Sequence, residues 1–368
     1  MRLGNPDMLI QLFWVGIGLI LLVAGADALV RGASRLALSF GVSPLVVGLT
    51  VVAFGTSAPE MAVSVGAAHG GNVDIAIGNV VGSNIFNVLF ILGAAAVIAP
   101  LVVNAQLIRQ EVPVMIGATL LLFLLSSDRG ISRIDGAVLF ALLIAYTAFL
   151  VVQSRRQTSA TRAEYVEAVE GMVPGEAGGH RARDVGYVGG GLALLVLGAQ
   201  TLVGAAVTIA ALLGVPQLIV GLTIVAAGTS LPEVATSIVA TIRGERDIAV
   251  GNVVGSSTFN VLGVLGLSAL SAPGDLPVPS SVLAFDLPVM TAVAVACLPV
   301  FFTGRTIARW EGAVFLGYYV AYTAYLVLAM QRHEATEAFS DAMLGFVLPL
   351  TLLTLVVSLA GELKARRG

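Results

Sequence analysis

Apolar runs of about twenty residues or more fill most of the sequence and are separated by short polar turns. A helix needs about 20 residues to cross a bilayer, so each run predicts one transmembrane helix. The runs lack the ten-residue alternation of a membrane β-barrel, and an all-α polytopic membrane protein is therefore predicted. The predicted spans are Leu9–Val30, Pro44–Ala67, Ile75–Ala99, the shorter Val112–Leu125, Ile134–Val152, Val185–Leu213, Leu218–Ile242, Ile248–Leu270, Leu283–Phe302, Gly312–Met330 and Met343–Leu363.

Two of these runs are interrupted by the same kind of polar motif. The second run contains GTSAPEMAVS from Gly55 to Ser64, and the seventh contains GTSLPEVATS from Gly228 to Ser237. Proline has no amide hydrogen and clashes with the carbonyl four residues before it, so both helices are expected to break near mid-span. Free carbonyls at that depth are tolerated only where they are buried in protein or face a watery cavity.

The two motifs belong to a longer internal repeat. At an offset of 173 residues, residues 41–87 align without a gap with residues 214–260, and 29 of the 47 positions are identical. The similarity continues in EVPVM and DLPVM, and then in AYTAFLV and AYTAYLV. Two five-helix repeats are therefore predicted. The predicted units are 1–152 for the first repeat, 153–184 for a linker, 185–330 for the second repeat and 331–368 for a C-terminal loop with one additional transmembrane helix.

The odd number of helices in each repeat predicts its orientation in the membrane. A second repeat that follows five crossings enters from the opposite side, which is the inverted-repeat architecture of many secondary transporters. With the N-terminus outside, fifteen of the nineteen Lys and Arg residues fall on the inner side, in agreement with the positive-inside rule. The linker and the C-terminus are accordingly predicted to be cytoplasmic.

The composition agrees with a membrane protein and limits its partners. Hydrophobic residues make up 57% of the chain and charged residues 11%, whereas soluble domains contain about 25% charged residues. With a net charge of -3 and no basic cluster, no nucleic-acid partner is expected. The single cysteine, Cys297, lies in an apolar span and is expected to serve packing only.

The polar side chains of the repeated motifs are oxygen donors near one depth of the membrane. Glu60 and Glu233 are the most informative, because an intramembrane carboxylate costs at least about 2.5 kcal/mol even on translocon scales. A simple kink with hydroxyl capping would explain one motif, but not a carboxylate in both copies. The breaks add hydroxyls and carbonyls at 53–57 and 226–230, and the next spans add Ser83 with Asn87 and Ser256 with Asn260, each pair four residues apart on one helical face. Such hard oxygen ligands suit Ca²⁺ or Na⁺ rather than Zn²⁺ or copper.

Other charged residues have local interpretations. Asp27 lies four residues before Arg31, which predicts an ion pair, and Gln200 stands at the equivalent place in the second half. Glu111 and Asp286 recur before a proline at the start of a span, where an interfacial role at the helix end is favoured over transport. The glycines of GNVVGS, at 78 and 82 and at 251 and 255, predict close helix approach.

The motif pair GTSAPE with GNVVGSNIFN, repeated as GTSLPE with GNVVGSSTFN, resembles the two α-repeats of the cation/calcium exchanger superfamily, especially prokaryotic sodium/calcium exchangers. The resemblance covers roughly Leu9 to Met330. It implies a ten-helix core that exchanges Ca²⁺ for Na⁺ by alternating access. The ligands it implies are Glu60, Ser83, Asn87, Glu233, Ser256 and Asn260, with Thr56, Ser57, Thr229, Ser230 and the carbonyls of Ala53 and Ala226.

The chain departs from many members of that superfamily at Asn260, where they have Asp, and in its additional eleventh span. Potassium-dependent members typically place an acid at that position. The leading hypothesis is therefore an electrogenic, K⁺-independent antiporter of a prokaryotic plasma (inner) membrane, with Ca²⁺ and Na⁺ as transported substrates and no cofactor. It is not expected to be an enzyme. The alternatives are an H⁺-coupled cation antiporter, an intramembrane hydrolase that uses Glu60 and Glu233, and a passive channel.

Overall fold

In a computed structural model of the protein, helices make up almost the whole of the described chain. The structure describes residues 6–40, 42–156, 181–213 and 226–330, together with isolated positions between 340 and 356. Its helices are α1 (Pro6–Phe40), α2 (Pro44–Thr56), α3 (Ala58–His69), α4 (Val73–Ile98), α5 (Leu107–Asp128), α6 (Arg133–Arg156), α7 (Arg181–Leu212), α8 (Ala226–Thr229), α9 (Leu231–Ile242), α10 (Arg246–Ser271), α11 (Val282–Phe302) and α12 (Arg309–Met330). Its strands are β1 (Leu101–Val102), β2 (Gly130–Ile131), β3 (Leu276–Pro277) and β4 (Thr306–Ile307).

The predicted all-α polytopic membrane class is confirmed. Among the described residues, 8 helices are long and apolar enough to cross a membrane, and the bent pair α2 and α3 makes 9. Helix α6 continues to Arg156 and α7 begins at Arg181, so helix extends into both ends of the predicted linker. Residues 157–180, residues 214–225, which include the start of the seventh predicted span, and most of the eleventh span lie outside the described residues.

The fourth span is longer than its hydropathy suggests. Helix α5 has 22 residues, because a π-helical turn, Leu107–Glu111, precedes the apolar segment. Polar residues in that turn hide it from the hydrophobic pattern. Glu111 consequently lies within the first turns of the span and is buried in the protein, with 0% exposure.

Both proline motifs break their helices at a serine. The axes of α2 and α3 differ by 46°. Between these helices Ser57 has φ −81° and ψ 7°, and between α8 and α9 Ser230 has φ −88° and ψ 7°. Pro59 and Pro232 stand in the first turn of the following helix, where a missing N–H leaves no helical hydrogen bond unmade. The predicted breaks are confirmed, and each one starts a new half-helix.

Helices α1 and α7 pack against each other in opposite directions. A Cβ built on Gly18 would lie 2.8 Å from the backbone of Leu202, and a Cβ on Gly25 would lie 2.8 Å from the backbone of Leu195. Backbones approach this closely only where no side chain intervenes. Rising residue numbers in α1 meet falling numbers in α7, so the pair is antiparallel. These two helices occupy equivalent places in the sequence repeat, and an antiparallel pair is what inverted repeats require.

Two short strand pairs join distant parts of the chain. Strand β1 pairs with β4, and β2 pairs with β3, both antiparallel. Strands β1 and β3 follow equivalent helices of the two repeats, and so do β2 and β4, so the repeat relates the β1–β4 pair to the β3–β2 pair. The pairing agrees with the predicted order of crossings. In that order, strands β1 and β4 follow the third and ninth spans, which end on one side of the membrane, and β2 and β3 follow the fourth and eighth spans, which end on the other.

Helix α10 lies in the core of the bundle. All its side chains from Ile248 to Phe259 are buried. Its Gly255 faces α2, where an added Cβ would lie 2.8 Å from the backbone of Leu49. The close approach predicted for the second glycine pair is thus present. The equivalent approach in the other repeat would bring Gly82 to position 222, the counterpart of Leu49, which lies outside the described residues.

Helices α4 and α10 change from α-helical to π-helical winding at equivalent asparagines. The π-helical segments are Asn87–Leu92 and Asn260–Leu265. π-Helical segments are rare in proteins overall, and those that occur often lie at functional sites. The change of winding alters the direction in which side chains leave the helix just beyond the polar residues of each repeat.

Candidate cation site

Two buried carboxylates lie at the starts of equivalent half-helices. Glu60 belongs to the first turn of α3, and Glu233 belongs to the first turn of α9. Both have 0% solvent exposure. The free N–H groups at a helix start carry a partial positive charge, so each break places its carboxylate where negative charge is stabilised.

Each carboxylate accepts a hydrogen bond from the serine at the break of the other repeat. Ser57 Oγ donates to Glu233 Oε1 at 3.0 Å, and Ser230 Oγ donates to Glu60 Oε1 at 2.8 Å. The two breaks therefore face each other. The structure brings together the two acids that lie 173 residues apart in the sequence.

The predicted serines of α4 and α10 join the same network. Ser83 Oγ lies 3.1 Å from Ser230 Oγ, and Thr56 Oγ1 lies 3.5 Å from Ser256 Oγ. None of these four residues is more than 4% exposed. Hydroxyl groups from both repeats thus meet in a region enclosed by protein.

Several polar atoms around this network have no protein hydrogen-bond partner within the described part of the chain. They are Oε2 of Glu60, Oε2 of Glu233 and both amide heteroatoms of Asn87 and of Asn260. Buried polar atoms in proteins are nearly always hydrogen-bonded, so four such side chains from four helices need a physical reason. Carboxylate and amide oxygens with free lone pairs are ligands suited to a desolvated Ca²⁺ or Na⁺.

The predicted backbone ligands are less available than the side chains. The carbonyl of Ala53 accepts the Ser57 N–H at 3.0 Å, and the Thr56 hydroxyl lies 3.4 Å from the same oxygen. A carbonyl oxygen has two lone pairs, so only one of them is left for a cation, beside the Thr56 hydroxyl. In the second half, Ala226 is the first residue of α8.

An asparagine of the first GNVVGS motif, which the sequence pattern did not single out, belongs to this network. Asn79 Nδ2 donates to Ser64 Oγ at 2.9 Å and to the Glu60 carbonyl at 3.3 Å. Its Oδ1 accepts a hydrogen bond from Thr229 Oγ1 at 3.2 Å. One amide therefore joins the carboxylate helix of its own repeat to the break of the other.

The equivalent asparagine of the second repeat makes the same set of contacts. Asn252 Nδ2 donates to Ser237 Oγ at 3.0 Å and to the Glu233 carbonyl at 3.5 Å, while Oδ1 accepts from Thr56 Oγ1 at 3.1 Å. The signal in the sequence was the identity of all six GNVVGS residues in both repeats. The glycines of this motif were explained by close helix approach and the serine by a ligand role, whereas the sequence offered no role for the asparagine, whose partners lie on other helices.

Comparison with known proteins agrees with this architecture. The family model described as sodium/calcium exchanger protein matches residues 10–152 and 184–328. The chain belongs to the sodium/calcium exchanger family. The family transports ions, and the chain is a transporter and not an enzyme.

Relatives and solved structures of the family match most of this exchanger. The sodium/calcium exchanger MaX1 of Methanosarcina acetivorans is 35% identical over 340 residues, which cover 84% of this chain and 96% of MaX1. The inner membrane protein YrbG of Escherichia coli is 39% identical over 253 residues, covering 67% of this chain and 75% of YrbG. A structure of the sodium-calcium exchanger NCX_Mj, soaked with 10 mM Na⁺ and 10 mM Sr²⁺, superposes with a TM-score of 0.74 at 30% identity and covers 86% of this chain and 98% of that one.

Two further acids of the exchanger form pairs with tyrosine away from the central network. Glu111 Oε2 accepts from Tyr146 at 2.5 Å and its Oε1 accepts from Gln106 at 2.8 Å. In the second repeat Asp286 Oδ1 accepts from Tyr322 at 2.8 Å. These bonds join the fourth helix of each repeat to the fifth, so both acids have helix-to-helix roles outside the candidate site.

Proposed function

We propose that the protein is a secondary active antiporter that exchanges Ca²⁺ for Na⁺ by alternating access at the central network. The observation that carries this proposal is the crossed pair of bonds from Ser57 to Glu233 and from Ser230 to Glu60, with a second carboxylate oxygen of each acid left unpartnered. The proposed ligands are Glu60, Glu233, Asn87, Asn260, Ser83, Ser256, Thr56, Thr229, Ser57 and Ser230, with the carbonyls of Ala53 and Ala226.

Charge supports exchange of one divalent ion for several monovalent ions. With Asn87 and Asn260 neutral, the proposed ligands carry a charge of about −2 from Glu60 and Glu233 when both are ionised, and one Ca²⁺ cancels it. If three Na⁺ bind instead, as the family resemblance implies, the loaded site has a net charge of about +1. Moving one charge through the membrane potential is worth about 2.3 kcal/mol per 100 mV. We therefore propose that the exchange is electrogenic.

Independence from potassium is proposed from the neutral residue at position 260. The Asn260 amide offers an oxygen without adding a third negative charge to the site. A larger monovalent cation bound beside Ca²⁺ would then have no additional charge to balance it. Transport is accordingly proposed to need Na⁺ and Ca²⁺ alone.

The proposed topology has two inverted five-helix repeats, with the N-terminus outside and the linker and C-terminus in the cytoplasm of a prokaryote. The antiparallel packing of α1 and α7 supports the inversion, and the two strand pairs support the order of crossings. The arginine bias supports the orientation. Labelling of single cysteines in a Cys297→Ala background tests it, because a linker cysteine that reacts with an impermeant reagent outside intact cells would contradict it.

The function is tested by Ca²⁺ uptake into Na⁺-loaded proteoliposomes, with and without K⁺, at several clamped membrane potentials. The proposal expects uptake that requires the Na⁺ gradient, varies with potential and does not change when K⁺ is removed. Uptake driven by a pH gradient without Na⁺ would favour the H⁺-coupled alternative. An absolute requirement for K⁺ would overturn the role given to Asn260.

A further inference from the structure

We propose that Asn79 and Asn252 are positioning residues of the cation site, which hold the threonine at each break in the orientation that a cation requires. This inference rests on the proposed function and adds to it two residues that do not themselves belong to the proposed ligand set. Each amide uses both of its ends. The NH₂ group binds the carboxylate helix of its own repeat, and the carbonyl oxygen binds a threonine of the other repeat.

The donor end of the amide fixes the half-helix that carries the carboxylate. Asn252 Nδ2 donates to the backbone carbonyl of Glu233 and to Ser237 Oγ, one turn further along α9. A break in a helix frees it to move, because the hydrogen bonds that would keep its two halves aligned are missing. Asn252 of α10 forms hydrogen bonds with the first two turns of α9, and these bonds replace part of that lost restraint.

The acceptor end determines where the threonine proton points. Thr56 has a single hydroxyl proton, and its shortest contact as a donor is the 3.1 Å bond to Asn252 Oδ1, against 3.4 Å to the Ala53 carbonyl. A hydroxyl can bind a cation only through its oxygen lone pairs, with the proton directed elsewhere. Asn252 supplies a place for the proton and so leaves the oxygen of Thr56 facing the other ligands.

The two asparagines differ in burial, which predicts unequal effects. Asn252 and Thr56 are both 0% exposed, whereas Asn79 and Thr229 are half-buried. Water can replace a lost hydrogen-bond partner at the half-buried pair, but has poor access to the fully buried one. Removal of Asn252 is therefore expected to weaken binding more than removal of Asn79.

Asn84 provides a matched control on the same helix as Asn79. It is 5% exposed, and its Nδ2 donates at 2.8 Å to the Val80 carbonyl of its own helix rather than to another helix. The second repeat has Ser257 at the equivalent position. Asn84→Ser therefore removes a buried amide from α4 while leaving the proposed ligands and their partners in place.

The experiment measures Ca²⁺ binding to the purified full-length protein by calorimetry in Na⁺-free buffer, with thermal stability recorded in parallel. Loss of a residue that orients a metal ligand typically weakens binding about 10–100-fold. We expect Asn252→Ala to fall in that range, Asn79→Ala to weaken binding less, and Asn84→Ser to bind as the wild type does. Equal affinity for Asn252→Ala and Asn84→Ser would overturn the inference.

A double-mutant cycle with Thr56→Val separates positioning from general destabilisation. If Asn252 acts through Thr56, Asn252→Ala should reduce the Ca²⁺ affinity of the Thr56→Val protein much less than that of the wild type. Fully additive effects would mean that the asparagine does not act through the threonine. Should Asn252→Ala not fold, the same cycle at Asn79 and Thr229 decides the matter. A wild-type protein that bound neither Ca²⁺ nor Na⁺ would instead refute the proposed function.

Discussion

The centre of the molecule is close to symmetric, whereas the ends of its longest helices are not. At the centre, the polar contacts of one repeat recur in the other, with the serine of each break bound to the opposite carboxylate. On α1, a group of polar and charged residues has no equivalent on α7. That group is Asp27, Arg31, Ser34 and Arg35, and the equivalent positions hold Gln200, Gly204, Val207 and Thr208.

Two of these residues of α1, Asp27 and Ser34, bind the turn between α9 and α10. Asp27 pairs with Arg31 at 2.9 Å, which confirms the predicted local ion pair, and it also pairs with Arg243. Ser34 Oγ donates to Glu245 at 3.0 Å. The turn between α3 and α4 has Gly70 and Asn72 at the positions of Arg243 and Glu245, so the first repeat lacks the partners as well.

The proposed function gives a reason for the difference. Under alternating access, the site presents the same ligands to the same ions from either side of the membrane, and inverted copies of one motif would provide this. Helix ends always face the same compartment, and nothing requires their charges to match. Arginine at the end proposed to be cytoplasmic also orients the chain during insertion.

The largest expected effect comes from breaking the symmetric centre on either side. Glu60→Gln and Glu233→Gln should each reduce Ca²⁺ flux in proteoliposomes to the background of empty vesicles. Each removes about half of the negative charge of the site, and loss of one buried charge partner costs about 3 kcal/mol or more, which exceeds a hundredfold in affinity. The amide still accepts the serine proton, so both proteins should fold.

Glu311→Gln is the matched control for these two variants. Glu311 is another acid that is mostly buried, at 8% exposure, but its Oε2 accepts the Ala308 N–H at the start of α12, away from the central network. Flux should persist in this variant. Near-normal flux in Glu60→Gln or in Glu233→Gln would refute a site shared by the two repeats.

The next effect concerns the packing between the two asymmetric helices. Gly25→Leu should lower the Tm of the detergent-purified protein strongly, because even a Cβ at this position would lie 2.8 Å from the backbone of α7, and overpacking costs about 1–3 kcal/mol or more. Gly16→Leu is the control, since no described atom lies within 4 Å of its added Cβ. Equal Tm values for the two variants would show that α1 and α7 do not pack closely in the membrane protein.

Sequence alone was sufficient for the membrane class and for most of the helices that the structure describes, because both depend on local patterns. Apolar runs gave the spans, and a gap-free offset gave the equivalence of Glu60 and Glu233. It failed at Leu107–Glu111, where polar residues wind into a π-helical turn that hydropathy does not register. It also missed Asn79 and Asn252, because their partners are set by which half-helix faces which, and that depends on tertiary packing.

A smaller effect is expected when Asp27 of α1 is replaced by the residue at the equivalent position of α7. Asp27→Gln introduces the residue of the other repeat and removes the pairs with Arg31 and Arg243, so the Tm should fall by the equivalent of roughly 1 kcal/mol. The reverse change, Gln200→Asp, adds an acid where the equivalent of Arg31 is Gly204. An unpaired intramembrane acid costs about 2.5–3.5 kcal/mol, so its yield of inserted protein should fall further. An unchanged Tm for Asp27→Gln, or an unchanged yield for Gln200→Asp, would mean that the arginines are not needed to compensate an acid at this place.

The smallest effect should be visible only as a function of pH. Burial, with a smaller contribution from Asp247, raises the pKa of Glu245 above its usual 4.5, while the Ser34 hydroxyl and Arg243 oppose the rise. A folded-state pKa above the unfolded one gives stability that is full below about pH 4.5 and is lost as the pH rises through the folded pKa.

Glu245→Gln cannot ionise and keeps an acceptor for Ser34, so its Tm should equal that of the wild type near pH 4.5 and exceed it slightly at neutral pH. Ser34→Ala should do the opposite and steepen the loss, because it removes a hydrogen bond that favours the ionised acid. A difference in Tm between Glu245→Gln and the wild type that stayed the same at every pH would show that ionisation of buried Glu245 carries no cost in stability.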